Sequence, residues 1–394
     1  MKKRFQNNKK DLVYIRLQLH LNQQAVGFPA TWSGVELRIL KHIFSPEEAE
    51  IVTYLTYRSE PLGTIFSRAG HLVDSPQELE TLLDRIQRKG GIESREKDGT
   101  LQYCCAPLVV GMYEFQLGRL TPDFIRDFNR YTSDVKFGIE FLSTELPQMR
   151  TIPVAKSLSP QNNVSTFDEV TARLRRAEEP FAVIECICRK KKTLEGKTCK
   201  ITQRTETCLA IGDTARMVRR SGVGREISRQ EAISIIGENQ KQGLVLQPSN
   251  TEKADFICSC CGCCCGMLQI HKRIPKPVEF WASNFRAVVD ATTCSGCGNC
   301  AESCQVGAVS ICENSHIAVV DLNRCLGCGV CVSACPTESI ALMKKPTEVR
   351  PPRTREDLYD IIMAKKKGRL GKLKLTGKVL VDAVRTGQTD LLKK

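Results

Sequence analysis

Hydrophobic and polar positions change period several times along the chain. From Ser45, SPEEAEIVTYL places apolar residues at helical spacing behind a cap signal, with Glu48 three residues on and Pro46 at the first helical position. PLGTIFSRA fits a second short helix. SPQELETLLDRIQRK fits a third, capped by Ser75, with Leu79, Leu82, Leu83 and Ile86 on one face. GIESREKDGTLQYCCAP then alternates about Lys97-Asp98-Gly99, a hairpin signal. Three helices and a hairpin predict a winged-helix-like domain over 45–110, after an N-terminal extension, 1–44. Helical patterns between Thr121 and Leu146 place a helical linker at 111–148.

Residues 149–279 mix periods, which predicts an α/β domain. STFDEVTARLRRAEE reads as helix and PFAVIECICR as strand, with Cys186 and Cys188 on one strand face. SRQEAISIIGENQKQG reads as a helix capped by Ser228, and GLVLQP as strand. A compact module follows at 285–345. Pro351-Pro352 then leads into a basic tail, 346–394, with short helices around Glu356–Lys366 and Lys378–Arg385. The expected class is α+β and multidomain.

Composition alters this picture in one respect. Hydrophobic content of 41% and charged content of 26% over 394 residues are ordinary, but 21 cysteines are not. Such numbers serve either extracellular disulfides or intracellular metal thiolates. The basic start MKKRFQNNKK is like a signal n-region, yet LVYIRLQLHL is broken by Arg16 and His20 and no cleavage site follows. No transmembrane segment is evident. The thiols are therefore expected in a reducing cytoplasm, as ligands.

Charge adds little. Of the formal +14, the tail from Lys344 carries +9, and bound clusters would add negative charge to the rest. The third helix opens with Glu78, Glu80 and Asp84 and holds Arg85, Arg88 and Lys89 only at its end. That order opposes a DNA-reading helix, so no specific nucleic acid is expected as a partner.

The candidate chemistry lies in two runs, Cys294–Cys297–Cys300–Cys304 and Cys325–Cys328–Cys331–Cys335, each C-x2-C-x2-C-x3-C. Their offset of 31 also maps Asp290 onto Asp321 and Ala308 onto Ser339, an internal repeat. Three thiolates of such a run wrap one 4Fe-4S cubane, and the fourth ligates the other cluster. The expected sets are Cys294, Cys297, Cys300 and Cys335 for cluster 1, and Cys325, Cys328, Cys331 and Cys304 for cluster 2. Four thiolates leave no open iron, which implies outer-sphere electron transfer. Gln305 stands where proline usually follows the fourth cysteine, implying a wetter second cluster. Cys104, Cys105 and Cys312 read as packed strand residues.

Ten further cysteines crowd the middle domain: Cys186, Cys188, Cys199, Cys208, Cys258, Cys260, Cys261, Cys263, Cys264 and Cys265. Lysines and arginines around them favour thiolates and metal. They form a candidate third site, for an additional iron–sulfur cluster or for zinc. The expected first set is Cys186, Cys188, Cys199 and Cys208, with the later run supplying a further set or a replacement ligand. His271 reads as a surface residue.

The C-terminal motif resembles the bacterial two-cluster ferredoxins over about 60 of the 394 residues. The strings AVGFPATWSGVELRILKHIFSPEEAE, ECICRK, ETCLAIGD, GREIS and ICSCCGCCCG extend the resemblance. They are similar to multidomain 4Fe-4S ferredoxin-domain proteins of anaerobic bacteria. That resemblance implies cytoplasmic electron transfer in anaerobic metabolism, with a redox partner protein or oxidoreductase complex. The main expectation is an electron carrier or oxidoreductase subunit rather than a stand-alone enzyme. The alternatives are an oxidoreductase with its active site in the middle domain and, behind it, a redox-sensing winged-helix regulator.

Overall fold

The computed structural model describes residues 9–158 and 164–388; residues 1–8, the start of the basic N-terminal segment, lie outside them. Two compact units are present. One comprises Met1–Glu145, Asp213–Arg225 and Tyr359–Lys372, the other Leu146–Gly212, Glu226–Leu358 and Leu373–Lys394.

The first unit begins with α1 (Lys9–Gln23) and α2 (Val35–Ile43), within the segment read as an extension. Their Leu17, Leu21, Val35, Ile39 and Leu40 are all buried. Next come α3 (Pro46–Val52), β1 (Glu60–Pro61), α4 (Leu62–Ala69), α5 (Pro76–Arg88), β2 (Ile92–Lys97) and β3 (Thr100–Cys105), then α6 (Pro122–Thr132) and α7 (Val135–Leu142). The capping box at Ser45 forms in full, and Ser75 accepts from the Glu78 N–H. Lys97 pairs with Thr100 across a two-residue turn in which Asp98 and Gly99 have φ of 51° and 70°. Positive φ at both central positions matches the twist of the flanking strands. The sheet order is β1-β3-β2, with Cys104 and Cys105 buried in β3. At the end of α5, Arg85 pairs with Glu47 and Glu48, and Lys89 with Glu48.

In the second unit come α8 (Val170–Arg176), β4 (Phe181–Glu185), α9 (Ile187–Leu194) and β5 (Glu206–Ile211). After α10 (Asp213–Ser221), which belongs to the first unit, follow β6 (Gly224–Ile227), α11 (Arg229–Lys241), β7 (Val245–Pro248), β8 (Phe256–Cys260) and α12 (Gly266–Arg273). The five strands order as β6-β4-β5-β8-β7. Val183, Leu209, Ile211 and Ile257 face a core with Leu174 and Ile236. Side chains alternate along strands, so Cys208, Cys258 and Cys260 take the opposite face. The strand expected through Cys188 ends earlier. The β4–β5 register slips between Ile184 and Glu185, and the Cys186 carbonyl accepts the N–H groups of Arg189 and Lys190 at 3.0 Å each. The bulge ends the ladder and a helix begins, so Cys186 caps α9 and Cys188 lies in its first turn.

The repeat segment holds β9 (Phe285–Val289), α13 (Asn299–Ser303), β10 (Val309–Ile311), β11 (Ala318–Val320), α14 (Val330–Ala334) and β12 (Ile340–Lys344). β9 pairs with β12 and β10 with β11, both antiparallel. The positions matched by the offset also exchange hydrogen bonds: Asp290 N–H donates to the Ser339 carbonyl at 2.7 Å, and Asp321 N–H to that of Ala308 at 2.8 Å. α15 (Arg355–Ala364) and α16 (Arg369–Arg385) follow. Among the described residues no helix is long and apolar enough to cross a membrane.

Candidate metal centres

Each cysteine run of the repeat segment leaves its strand through a tight turn into a one-turn helix. Gly296 and Gly327 have φ of 67° and 64°, and a Cβ on either would collide with a backbone carbonyl, of His316 and Phe285 respectively. Only glycine suits both the conformation and the approach. Backbone N–H groups point at the sulfurs: Ala287 at Cys325 Sγ (3.4 Å), Ala318 at Cys294 Sγ (3.5 Å) and Ala308 at Cys304 Sγ (3.1 Å). Such donors stabilise thiolates and suit an iron–sulfur ligand set. Cys304 lines one cavity with Cys325, Cys328 and Cys331, floored by Ala287 and Leu342. Cys335 and Cys294 lie near Cys300. Burial raises the Cys325 and Cys331 thiols and pushes Cys328 up to about 12, so ionising them is costly unless a cation offsets it. Cys297 is exposed, whereas Cys325 and Cys331 are buried. Cys312 is half-buried in the turn after β10, not packed within a strand.

The ten middle cysteines divide in two. Cys199, from the loop after α9, meets Cys261, Cys263 and Cys264, from the loop after β8, with all four sulfurs within 4.8 Å of one another. The Cys199–Cys261, Cys199–Cys263 and Cys263–Cys264 separations are 3.6, 3.7 and 3.6 Å. A tetrahedron with metal–sulfur bonds of about 2.3 Å has an edge near 3.8 Å, so this spacing fits a single ion. Hydrogen bonding from Cys264 draws the Cys261 thiol down to about 5, with Arg189 assisting, and raises Cys264 in return.

Cys186, Cys188, Cys208, Cys258, Cys260 and Cys265 form the other set. Cys199 therefore does not join Cys186, Cys188 and Cys208, as the expected first set had it. Sheet order decides this: β5 lies between β4 and β8, which brings Cys208 beside both Cys186 and Cys258. Cys265 caps α12 and closes on Cys188 and Cys260. Contacts with Cys188 and Cys208 lower the Cys186 thiol, while Cys188, Cys208, Cys260 and Cys265 are raised. The surrounding lysines and arginines therefore do not make every thiol acidic; mutual contact and burial outweigh them. Arg189 is itself buried and donates to Thr207 Oγ1 and, at 2.8 Å, to the Ser259 carbonyl. Its charge is favoured by Cys186 and Cys208 of one set and by Cys261 and Cys199 of the other.

Hydrogen bonds join the middle domain to the repeat segment. Gln305, next to Cys304, accepts the N–H of Gly262, between Cys261 and Cys263, at 2.8 Å through its side-chain oxygen. Gln305 is only 7% exposed, so the residue in the usual proline position docks the loop instead of admitting water. Arg324, next to Cys325, donates to the Lys272 carbonyl at 2.8 Å and so caps the far end of the helix that Cys265 begins. Val154 N–H donates to the Cys328 carbonyl at 2.9 Å. His271 is 0% exposed against Trp281 and is not a surface residue; one face of α12 packs inward and carries it along. The role of Gln305 escaped sequence reading. Its place beside a ligand, as a departure from the usual residue, was the available signal.

Residues 286–351 match the family model of a 4Fe-4S dicluster domain. No curated protein and no solved structure matches the chain. The protein thus carries an iron–sulfur-type domain near its C-terminus and, upstream, a four-cysteine candidate metal site.

Proposed function

We propose, from the premise of that dicluster domain, that the protein is an oxidoreductase or the redox subunit of one. In this reading Cys294, Cys297, Cys300 and Cys335 hold one 4Fe-4S cluster, and Cys325, Cys328, Cys331 and Cys304 the other. The clusters supply single-electron chemistry when bound. The working redox centre is the thiol-rich middle domain, which exchanges electrons with them.

The observation that carries this reading is the Gln305–Gly262 hydrogen bond, which joins a residue beside a cluster ligand to the four-thiol loop. It sets the four-thiol loop against a neighbour of Cys304, on the side where electrons would pass between the two. Exposure supports a direction: Cys297 meets solvent, where a one-electron donor protein can dock, whereas Cys304 and Cys325 of the second set adjoin Gln305 and Arg324, which bond to the middle domain. The first unit is winged-helix-like in element order. With Arg85 and Lys89 neutralised by α3 carboxylates, it suits protein docking better than phosphate.

The test is an anaerobic reductive titration followed by electron paramagnetic resonance. The wild type should show redox-active signals or absorbance changes beyond two cubanes. Cys294→Ala and Cys325→Ala should each lose or convert one cubane and slow reduction of the additional centre by a protein donor. A middle domain that stays silent at every potential would leave only the carrier reading.

A further inference from the structure

We propose that Cys186, Cys188, Cys208, Cys258, Cys260 and Cys265 hold a polynuclear iron–sulfur cluster of their own, separate from the single-ion site at Cys199, Cys261, Cys263 and Cys264. This divides the thiol-rich centre of the functional reading in two, but its argument and test concern metal content alone.

The six sulfurs form a closed circuit. β5 pairs with both β4 and β8, which sets Cys208 between Cys186 and Cys258 with Cys260 on the same face; Cys188, in the first turn of α9, and Cys265, the cap of α12, close the ring, and hydrogen bonding between neighbouring thiols follows it round. Yet among the described residues only the other set has all its sulfurs within 4.8 Å of one another. The circuit is therefore wider than one ion's coordination sphere, and no three of its thiols converge on a point. A tetrahedral metal placed on it gains at most two neighbouring thiolates. Its other positions need ligands from outside the protein. Four of the six cysteines are buried and two half-buried, which disfavours water in that role. Inorganic sulfide bridging several irons meets the requirement, because each iron of such a cluster needs only one or two thiolates.

Charge points the same way. Six contiguous thiols cannot all ionise against one another without a cationic core. Polarity remaining on the thiolates is met by the N-terminal ends of α9 and α12, where Cys186 and Cys265 are the caps. Arg189, buried beside the circuit, has its Nε without a hydrogen-bond partner.

The experiment is metal and sulfide analysis of full-length protein, reconstituted anaerobically with ferrous iron and inorganic sulfide or with zinc alone. Two cubanes account for about eight irons and eight acid-labile sulfides. The proposal requires iron and sulfide several atoms above that in the wild type. Cys208→Ser with Cys260→Ser should remove this surplus and leave the cubane signals and the single ion. Cys199→Ser should remove the single ion and leave the surplus sulfide. Wild-type sulfide that stops at about eight overturns the proposal, even if no variant folds. So does filling of the six-cysteine site by zinc without sulfide. A surplus cluster that forms but never changes oxidation state would uphold the site and instead defeat the oxidoreductase reading.

Discussion

Gly262→Ala tests the joint between the dicluster domain and the thiol loop. A Cβ at this position would lie 2.8 Å from Lys272 Nζ and 2.9 Å from the Gln305 carbonyl carbon, and closer still to its oxygen. Carbon atoms settle at about 3.5–4.0 Å, so the two backbones must part by about 1 Å. The Gly262 N–H bond to Gln305, now 2.8 Å, would open to about 3.8 Å and cease to be a hydrogen bond. Overpacking costs about 1–3 kcal/mol and the orphaned buried N–H about 1–3 kcal/mol, together about 2–6 kcal/mol at this contact. Gln305→Ala removes the acceptor without the collision and should cost only about 1–3 kcal/mol. The assay pairs urea unfolding of the anaerobic holoprotein with stopped-flow reduction by a low-potential protein donor. Gly262→Ala should lower the unfolding midpoint more than Gln305→Ala, and both should slow electron arrival at the middle domain while iron content in the dicluster domain is kept. Wild-type midpoint and wild-type reduction rate in Gly262→Ala would refute the joint.

Asp168→Ala leaves the buried guanidinium of Arg150 without its 2.6 Å partner and Asn284 without an acceptor at 2.8 Å, so it should destabilise the second unit by about 3–5 kcal/mol. An unchanged urea midpoint would contradict this. Burial, with Arg324 and Lys272 nearby, holds His271 at about 3 against an ordinary 6.5. The unfolded chain therefore takes up the proton first as pH falls. The stability this group contributes is full above about pH 6.5 and declines by up to about 1.4 kcal/mol per unit down to about pH 3. His271→Phe should lose less stability than wild type between pH 7.5 and 5.5 in the same urea assay, and equal losses would reject the assignment. The protein should give no sequence-preferring mobility shift with duplex DNA at physiological salt; a shift abolished by Arg85→Ala would overturn this.

What the sequence disclosed was whatever its neighbours along the chain decide. Ser45, Ser75 and Ser228 announce helices because a cap bonds only to the next turn. The cysteine runs are legible for the same reason, and the offset of 31 marks Asp290 with Asp321 and Ala308 with Ser339 as equivalent positions; that they bond crosswise, Asp290 to Ser339 and Asp321 to Ala308, only the fold shows. The partition of the ten middle cysteines is different, since it follows from strand order. Cys208 and Cys258 are 50 positions apart and become neighbours only because β5 and β8 pair. Cys186 and Cys188 misled through periodicity: alternation continues past Glu185, but a register slip ends the strand there. Gln305 was read by what it lacks relative to proline, whereas its contribution is the hydrogen bond that proline could not make.

The two faces of the five-stranded sheet carry different burdens, and this constrains how the middle domain can work. Val183, Leu209, Ile211 and Ile257 bury one face against α8 and α11, so the apolar packing of the sheet is concentrated on that side. Cys208, Cys258 and Cys260 can then occupy positions where most sheets would place hydrophobic or solvated residues. Thiols on a sheet are held at a spacing the strands set, so the cluster proposed for them would have to match that width. The four-thiol loop lies beyond the sheet, on Cys261, Cys263, Cys264 and Cys199, and takes its position from Gly262 against Gln305. One set thus answers to the sheet and the other to the dicluster domain, with Arg189 within electrostatic reach of both. Ionising thiols in either set favours the Arg189 charge, so occupation of one proposed centre would be sensed at the other through that guanidinium.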